Sequence, residues 1–327
     1  MVHKENFSIG RQNIIACIWD FDRTLSPHYM QEPLFREYGL DLEKFWEEVN
    51  ALPEYYLKQG IRVSEDSIGQ NHLITYVKSG LLPGLSNKKL REVGKQIRFF
   101  KGLPDLFPAL KQFVADKYGQ HNISLEHYIV SNGIAEIIRG SAIAQYVDGI
   151  FACEFIERPF GPGFLEDSTA DRVSSSEISQ IGTIVDNTHK TRCIFEINKG
   201  CNKDSHIKIN STVEQSNRRI PIKNMIYIAD GPSDIPAFTV VRQDGGLGFA
   251  VYNELSDAEF EQNDRMRADD RIDAYGPADY TENSTTVRWL KMHIKNICER
   301  IVVDTEVAMQ KVIGNPPSHL HDHNTAD

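Results

Sequence analysis

The sequence has few cysteines and no long apolar run. Its 327 residues contain five cysteines, an odd number, and none forms a Cys-x-x-Cys pair, so neither a disulfide framework nor a cysteine metal site is expected. No apolar run approaches membrane-spanning length, and the first residues, Met1 to Phe7, lack the apolar core of a signal peptide. We therefore expect a cytoplasmic protein without a membrane partner.

The chain also lacks an excess of positive charge. Its formal net charge is -10, which disfavours nonspecific binding to nucleic acid or to anionic membranes. The hydrophobic content of 40% can build a substantial core, and the length suggests about two domains. These properties are typical of a globular enzyme whose substrate is a small molecule.

Two aspartates follow an apolar segment near the N-terminus. Asp20 and Asp22 come at the end of the run from Ile14 to Trp19, which predicts a buried strand. Side chains at i and i+2 of a strand point the same way, so both carboxylates can meet one ligand beyond the strand's carboxyl end. A divalent cation such as Mg²⁺ would offset the repulsion between them.

Two further apolar strands end in polar residues. The segment Tyr128 to Val130 is followed by Ser131, Asn132 and Gly133, where a hydroxyl and a glycine allow close approach of a phosphoryl oxygen. The segment Met225 to Ala229 is followed by Asp230 and, four residues later, Asp234. Between these strands a predicted helix has Lys190 in its first turn, where a cation is disfavoured unless an anion lies nearby.

These four motifs, in this order, resemble the phosphatase branch of the haloacid dehalogenase (HAD) superfamily. The resemblance covers residues 14–252 and implies an α/β fold, a Rossmann-like doubly wound parallel sheet with an inserted helical cap. It assigns residues 1–25 and 101–327 to the core with a C-terminal helix, and 26–100 to a cap of the C1 type. A cap of this kind closes over the site and selects the substrate.

The resemblance also implies a role for each motif residue. Asp20 would be the nucleophile that forms an aspartyl-phosphate, and Asp22 the general acid and base. Thr24, Ser131, Asn132 and Gly133 would bind the phosphoryl oxygens together with Lys190, which also offsets negative charge. Asp20, Asp230 and the carbonyl of Asp22 would hold Mg²⁺, and Asp234 would orient Lys190 or the waters on the metal.

Several positions have a second interpretation. Ser131 could be a turn hydroxyl, and Asp234 could be the N-cap of the helix that follows it. Lys199 competes for the role of Lys190, but it precedes Gly200 at a helix end, so we favour Lys190. Arg23 stands at a position that is often small in the family and could contact substrate, while Ser233 replaces a common Asn.

The remaining segments complete the predicted core. We expect helices over 104–118, 134–145, 257–273 and 286–312, a strand over 150–155, strand-like character over 182–185, and the last core strand within 245–252. Residues 158–179 are expected to form a loop. Tail residues His319, His321 and His323 have a metal-like composition, but a disordered terminus is the favoured interpretation.

The sequence therefore predicts a Mg²⁺-dependent phosphatase of a small phosphorylated metabolite. Phosphoserine phosphatases, which have similar motifs, hold the substrate amine with a glutamate at the position of Tyr29, so phosphoserine is not the expected substrate. The alternatives are a phosphotransferase or dehalogenase of the same superfamily, and a noncatalytic binding module that keeps the fold. The sequence leaves the phosphate ester and the oligomeric state open.

Overall fold

The computed structural model describes residues 12–165 and 176–313. The predicted histidine-rich tail lies outside these residues, as does part of the predicted loop over 158–179. No helix in the described ranges is both long and apolar enough to span a bilayer.

Seven strands form one sheet in the order β4-β3-β2-β1-β5-β6-β7. All neighbouring strands are parallel except β3 and β4. The strands are β1 (Ile14–Trp19), β2 (Ser124–Ile134), β3 (Gly149–Ile156), β4 (Gln180–Thr183), β5 (Met225–Ala229), β6 (Leu247–Tyr252) and β7 (Ala274–Pro277). The predicted α/β class with a largely parallel sheet is confirmed.

Ten α-helices accompany the sheet in the described residues. Five of them lie between β1 and β2: α1 (Glu32–Glu37), α2 (Leu42–Leu57), α3 (Ile68–Lys78), α4 (Asn87–Gly94) and α5 (Leu106–Tyr118). The others are α6 (Ala135–Gly140), α7 (His189–Lys199), α8 (Ile235–Gln243), α9 (Asp257–Ala268) and α10 (Thr285–Ile313).

Strand β1 is apolar throughout because helices cover both faces of the sheet. Ile15, Cys17 and Trp19 face a cluster that includes α5 and α10, whereas Ala16 and Ile18 face a cluster that includes α7 and α8. All five side chains are buried. A strand that is buried on both faces has a continuous apolar sequence, so the change to a polar residue at Asp20 marks the end of the strand.

Three predicted element bounds and the predicted last core strand are wrong. The helix predicted over 134–145 ends at Gly140, where the chain turns before a short 3₁₀ segment at Ala144–Tyr146. The helix predicted over 257–273 ends at Ala268, and β4 covers Gln180–Thr183 instead of 182–185. Strand β6 is not the last core strand, because β7 pairs with it at the edge. Short segments rich in Gly and Pro, such as β7, carry little strand signal.

The two ends of the predicted cap segment meet at the core. The backbone N–H of Phe100 donates to the carbonyl of Leu25 at 3.0 Å, so the chain leaves and re-enters the core at one point. Within the segment, α4 packs tightly on core helix α6. A Cβ atom on Gly94 would lie 2.1 Å from the Ile137 carbonyl oxygen, so only glycine allows this contact. The boundaries of the cap as a separate domain remain a hypothesis.

Candidate active site

The candidate site lies where the order of the strands reverses. Strands β2, β3 and β4 extend the sheet on one side of β1. The chain then crosses over, and β5, β6 and β7 extend the sheet on the other side. Open α/β sheets bind ligands outside the carboxyl ends of the strands at such a switch point. Asp20 is fixed here because its backbone N–H donates to the Ile228 carbonyl at 2.9 Å.

Lys190 joins two carboxylates from different elements. Its Nζ donates to Asp20 Oδ1 at 2.9 Å and to Asp234 Oδ1 at 2.7 Å, and the lysine is 1% exposed. The carboxylates explain why a lysine stands in the first turn of α7, where the helix dipole disfavours it. Lys199 lies elsewhere, since its Nζ donates to the carbonyls of Ile209 and Ser211.

Asp234 is held by two hydroxyl groups in addition to Lys190. The Tyr227 hydroxyl donates to Oδ1 at 2.6 Å, and the Ser233 hydroxyl donates to Oδ2 at 3.0 Å. Asp234 occupies the N-cap position of α8, as the alternative interpretation predicts, but its side chain makes no capping hydrogen bond there and contacts Lys190 instead. Tyr227 gave no signal in the sequence, because a tyrosine inside an apolar strand is usually a core residue.

The acidic residues differ in proton affinity. Burial raises the pKa of Asp20 to about 6, against the opposing effect of Lys190. Burial and the neighbouring Asp20 raise the pKa of Asp22 well above its usual value. Burial, Asp20 and Asp234 raise the pKa of Asp230 to about 8. Burial acts to lower the pKa of Lys190, but Asp20 and Asp234 together raise it above its usual value, which keeps the lysine charged.

A divalent cation fits the arrangement of acids. Ligand oxygens of Asp20, Asp230 and Asp234 lie within 4.8 Å of one another. Both Asp234 oxygens already accept hydrogen bonds, whereas the cation that the described residues bring within salt-bridge distance of Asp230 is Arg23, with Nε at 4.0 Å. Three carboxylates around one ammonium group leave negative charge that suits a hard cation that prefers oxygen ligands. The Asp22 carboxylate is outside this cluster and accepts from the Met30 N–H at 2.9 Å.

The predicted phosphate-binding residues divide into two groups. Ser131, Asn132 and Gly133 line the cavity beside Asp20, and the Ser131 hydroxyl oxygen accepts from the Gly133 N–H at 3.1 Å. Thr24 is fully buried and does not line the cavity, and its hydroxyl has no hydrogen-bond partner in the described residues. The structure thus places three of the four at the cavity wall.

A cavity of about 1290 Å³ lies between the carboxyl ends of the central strands and the inserted helices. Its core side includes the motif residues, and its other side includes Tyr29, Trp46 and Gln70. Gln70 of α3 donates to the Asn132 carbonyl at 2.9 Å, which ties the inserted segment to the predicted phosphate-binding turn. Contacts of this kind depend on the tertiary approach of distant segments, and no local pattern predicts them.

Arg23 adopts a backbone conformation that is unusual for a residue other than glycine. Its φ is 59°, and its guanidinium pairs with Glu259 of α9. Glu259 also accepts from the Asn253 N–H at 2.7 Å. The motif loop is therefore linked to α9, a contact that the sequence did not predict. Positive φ at a non-glycine residue is enriched at functional sites, where the surroundings enforce it.

No family model matches the chain. An uncharacterized protein of Borreliella burgdorferi is 38% identical over 295 residues, an alignment that covers 88% of this chain and 98% of the relative. The chain belongs to the same family as this Borreliella protein. The alignment thus spans nearly the whole of the relative.

The similar solved structures include HAD-family hydrolases, as the motifs predict. A HAD-family hydrolase of Salmonella enterica serovar Typhi is 14% identical with a TM-score of 0.47, covering 80% of this chain and 66% of that one, just under two thirds. An apo phosphoserine phosphatase is 15% identical with a TM-score of 0.43, covering 80% and 92%. Since both TM-scores are below 0.5, the roles proposed below rest on the side-chain geometry of this chain.

Proposed function

We propose that this protein is a HAD-type phosphatase that hydrolyses a small phosphomonoester through an aspartyl-phosphate, with Mg²⁺ as its cofactor. The observation that carries the proposal is the pair of hydrogen bonds from buried Lys190 to Asp20 and Asp234, with Asp22 and Asp230 beside the same cavity. A binding module would have no need to gather four carboxylates, two of them buried, near one lysine, because such an excess of negative charge is costly.

The surroundings of the first two aspartates are compatible with separate roles. With its pKa at about 6, Asp20 is mostly ionised at neutral pH and can attack phosphorus. Burial and the neighbouring Asp20 raise the pKa of Asp22 well above its usual value, which favours the protonated form that a general acid needs.

The proposed reaction has two steps. An oxygen of Asp20 forms a bond to phosphorus, the bond to the ester oxygen breaks, and that oxygen takes the proton of Asp22. Asp22 then accepts a proton from a water molecule that attacks phosphorus, which releases inorganic phosphate and restores the Asp20 carboxylate. Ser131, Asn132 and Gly133 would hold the phosphoryl oxygens, while Lys190 offsets their negative charge.

Asp20, Asp230 and the Asp22 carbonyl would hold Mg²⁺. When bound, the ion supplies positive charge that stabilises the phosphoryl group during transfer. From the sequence, Asp234 is expected to orient either Lys190 or the waters on the metal. We favour the orientation of Lys190, because Asp234 Oδ1 accepts a hydrogen bond from its ammonium group.

Hydrolysis of p-nitrophenyl phosphate tests the proposal. We expect turnover by wild type with Mg²⁺ and none with excess chelator. Asp20→Asn should abolish turnover, and Asp22→Asn should reduce it by about 10²- to 10⁴-fold, the usual contribution of a general acid. Asp105→Asn is the matched control, since Asp105 is exposed and makes no capping hydrogen bond.

Trapping of the intermediate gives a second readout. Acid quenching of the reaction with labelled substrate should leave phosphate on Asp20, in a linkage that hydroxylamine cleaves. Release of labelled phosphate to water, and not to an added alcohol, distinguishes a phosphatase from a phosphotransferase. Turnover that persists in Asp20→Asn would refute the assignment of the nucleophile.

A further inference from the structure

Arg23 lies beside the proposed metal-binding carboxylate of Asp230 without forming a close pair with it. Its Nε is 4.0 Å from Asp230 Oδ2, which is longer than a hydrogen bond. The Arg23 side chain is 40% exposed and lines the cavity together with Asp230. Arginine and carboxylate groups that are free to meet frequently form two parallel hydrogen bonds. The wider separation here indicates that another group holds the guanidinium.

Glu259 of α9 is that group. Its Oε1 accepts a hydrogen bond from Arg23 Nη2, and its Oε2 accepts one from the Asn253 N–H at 2.7 Å. The Glu259 side chain is 13% exposed, so solvent screens this pair less than it screens an ion pair on the open surface. Because both of its oxygens have partners, the carboxylate has a defined position, and it fixes the end of the Arg23 side chain.

Helix α9 is itself anchored to the sheet. Asn263 is fully buried, and its Nδ2 donates to the Val251 carbonyl of β6 at 2.8 Å. On the same helix, Gln262 Nε2 donates to the Asp230 carbonyl at 3.4 Å. One anchored helix therefore contacts the backbone of Asp230 and, through Glu259, the side chain of Arg23.

The backbone of Arg23 is also constrained. Its φ of 59° lies in the left-handed region, which residues other than glycine rarely adopt unless their surroundings enforce it. Arg23 directly follows Asp22, whose carbonyl is another of the proposed metal ligands. The ion pair with Glu259 therefore ties the loop of Asp22 to α9.

Arg23 and a metal ion would compete for Asp230. A divalent cation on this carboxylate would be repelled by the guanidinium group, because like charges repel strongly at short range in a partly buried site. Glu259 offsets the charge of Arg23 and keeps it beyond hydrogen-bond distance of Asp230. Without the charge of Glu259, Asp230 would be the remaining carboxylate that the described residues place within salt-bridge distance of Arg23.

We infer that Glu259 is a positioning residue of the metal site: it pairs with Arg23, keeps the guanidinium group off Asp230, and thereby raises the affinity for Mg²⁺, which Arg23 lowers. The inference rests on the proposed function in one respect, since it takes Asp230 as a metal ligand. It gives α9 a part in metal binding, and it requires that Arg23 and Glu259 have opposite effects on the affinity.

Calorimetric titration of Mg²⁺ into substrate-free protein tests the inference without relying on turnover. A pH of 8.5 limits competition by protons, because the pKa of Asp230 is about 8. We expect Glu259→Gln to raise the Kd by about 3- to 10-fold and Arg23→Gly to lower it by about 3- to 10-fold, as for single charges in a partly solvated site. Glutamine can still accept from the Asn253 N–H, and glycine adopts a positive φ without strain, so each variant removes charge while the backbone conformation stays accessible.

A double variant shows whether Glu259 acts through Arg23. Arg23→Gly combined with Glu259→Gln should have a Kd within about twofold of that of Arg23→Gly alone, because the two residues form one interacting pair. Lys58→Gln and Glu54→Gln are the matched controls, since they neutralise an exposed ion pair that does not line the cavity, and each should bind Mg²⁺ as wild type does. A gain in affinity cannot arise from partial unfolding, so Arg23→Gly stays informative if Glu259→Gln is less stable.

The inference and the proposed function fail in different ways. Weaker Mg²⁺ binding by both single variants, no change in either, or a loss on Glu259→Gln that is equally large without Arg23 would overturn the inference alone. Wild type that binds no Mg²⁺, or Asp230→Asn that binds it as tightly as wild type does, would count against the proposed metal site and overturn the inference with it. Opposite effects of Arg23 and Glu259 would support the inference whether or not p-nitrophenyl phosphate is hydrolysed.

Discussion

Replacement of Asp230 by asparagine should stabilise the protein when no metal is bound. In the folded chain the pKa of Asp230 rises from its usual value of 3.8 to about 8, mainly through burial and then through Asp20 and Asp234. The unfolded chain ionises this group at a much lower pH than the folded chain does. Folding therefore becomes less favourable as the pH rises from about 4 to 8, and asparagine removes this penalty.

The magnitude follows from the size of the shift. One pKa unit corresponds to about 1.4 kcal/mol, so the full shift from 3.8 to about 8 corresponds to about 6 kcal/mol above pH 8. The Asp230 side chain is 17% exposed, and solvent screening reduces the effect. We expect Asp230→Asn to raise the free energy of unfolding by about 2–4 kcal/mol at pH 9, and by much less at pH 5, where part of the penalty is absent.

Urea denaturation in excess chelator at pH 5, 7 and 9 measures this difference, with Asp105→Asn as the control. Added Mg²⁺ should stabilise wild type more than the variant, since a ligand that binds the folded state stabilises it by mass action. The advantage of Asp230→Asn should therefore shrink or reverse as the Mg²⁺ concentration rises. A variant that is less stable than wild type at pH 9 without metal, or a difference independent of pH, would refute the reasoning.

Three other perturbations have defined outcomes. Lys190→Met leaves two buried carboxylates unpaired and should lower the metal-free free energy of unfolding by about 3–5 kcal/mol in urea titrations near pH 8. Burial lowers the pKa of His127 to about 3, so its stabilising contribution should be lost as the pH falls below 6.5, and His127→Gln should flatten that part of the stability profile. Gly94→Ala should lower the melting temperature by several degrees through its contact with Ile137, whereas Gly119→Ala, which meets no atom within 4 Å, should not.

The parts of the fold that the sequence predicts well are those with strong local signals. Strand β1 is predicted with the bounds that the structure shows, because a fully buried parallel strand is a continuous apolar run with a polar end. Helix α10 is predicted within a residue at each end, since its apolar residues recur at helical spacing over many turns. Strand β7 is not predicted, because it depends on pairing at the sheet edge and its own sequence has a weak strand propensity. The end of α6 is not predicted, because a local turn stops the helix early.

The residues of the candidate site also differ in how well the sequence predicts them. Asp20, Lys190 and Asp234 stand at strand and helix ends, where motif spacing makes them visible, and the structure brings all three together. Tyr227 and Glu259 are invisible in the sequence, since each reaches the site only through tertiary contacts.

The distribution of charge at the carboxyl ends of the strands indicates why a cation is expected there. Asp20, Asp22, Asp230 and Asp234 lie near a single lysine, and their surroundings raise the pKa values of Asp20 and Asp230 to about 6 and about 8. Protons can offset part of this negative charge in the metal-free protein, whereas a bound cation would offset it while both carboxylates stay ionised. Asp20 follows directly from a rigid strand end, so it can be held to the precision that phosphoryl transfer needs. Metal binding and ionisation of these carboxylates should consequently be linked, which is why the advantage of Asp230→Asn is expected to shrink as Mg²⁺ is added.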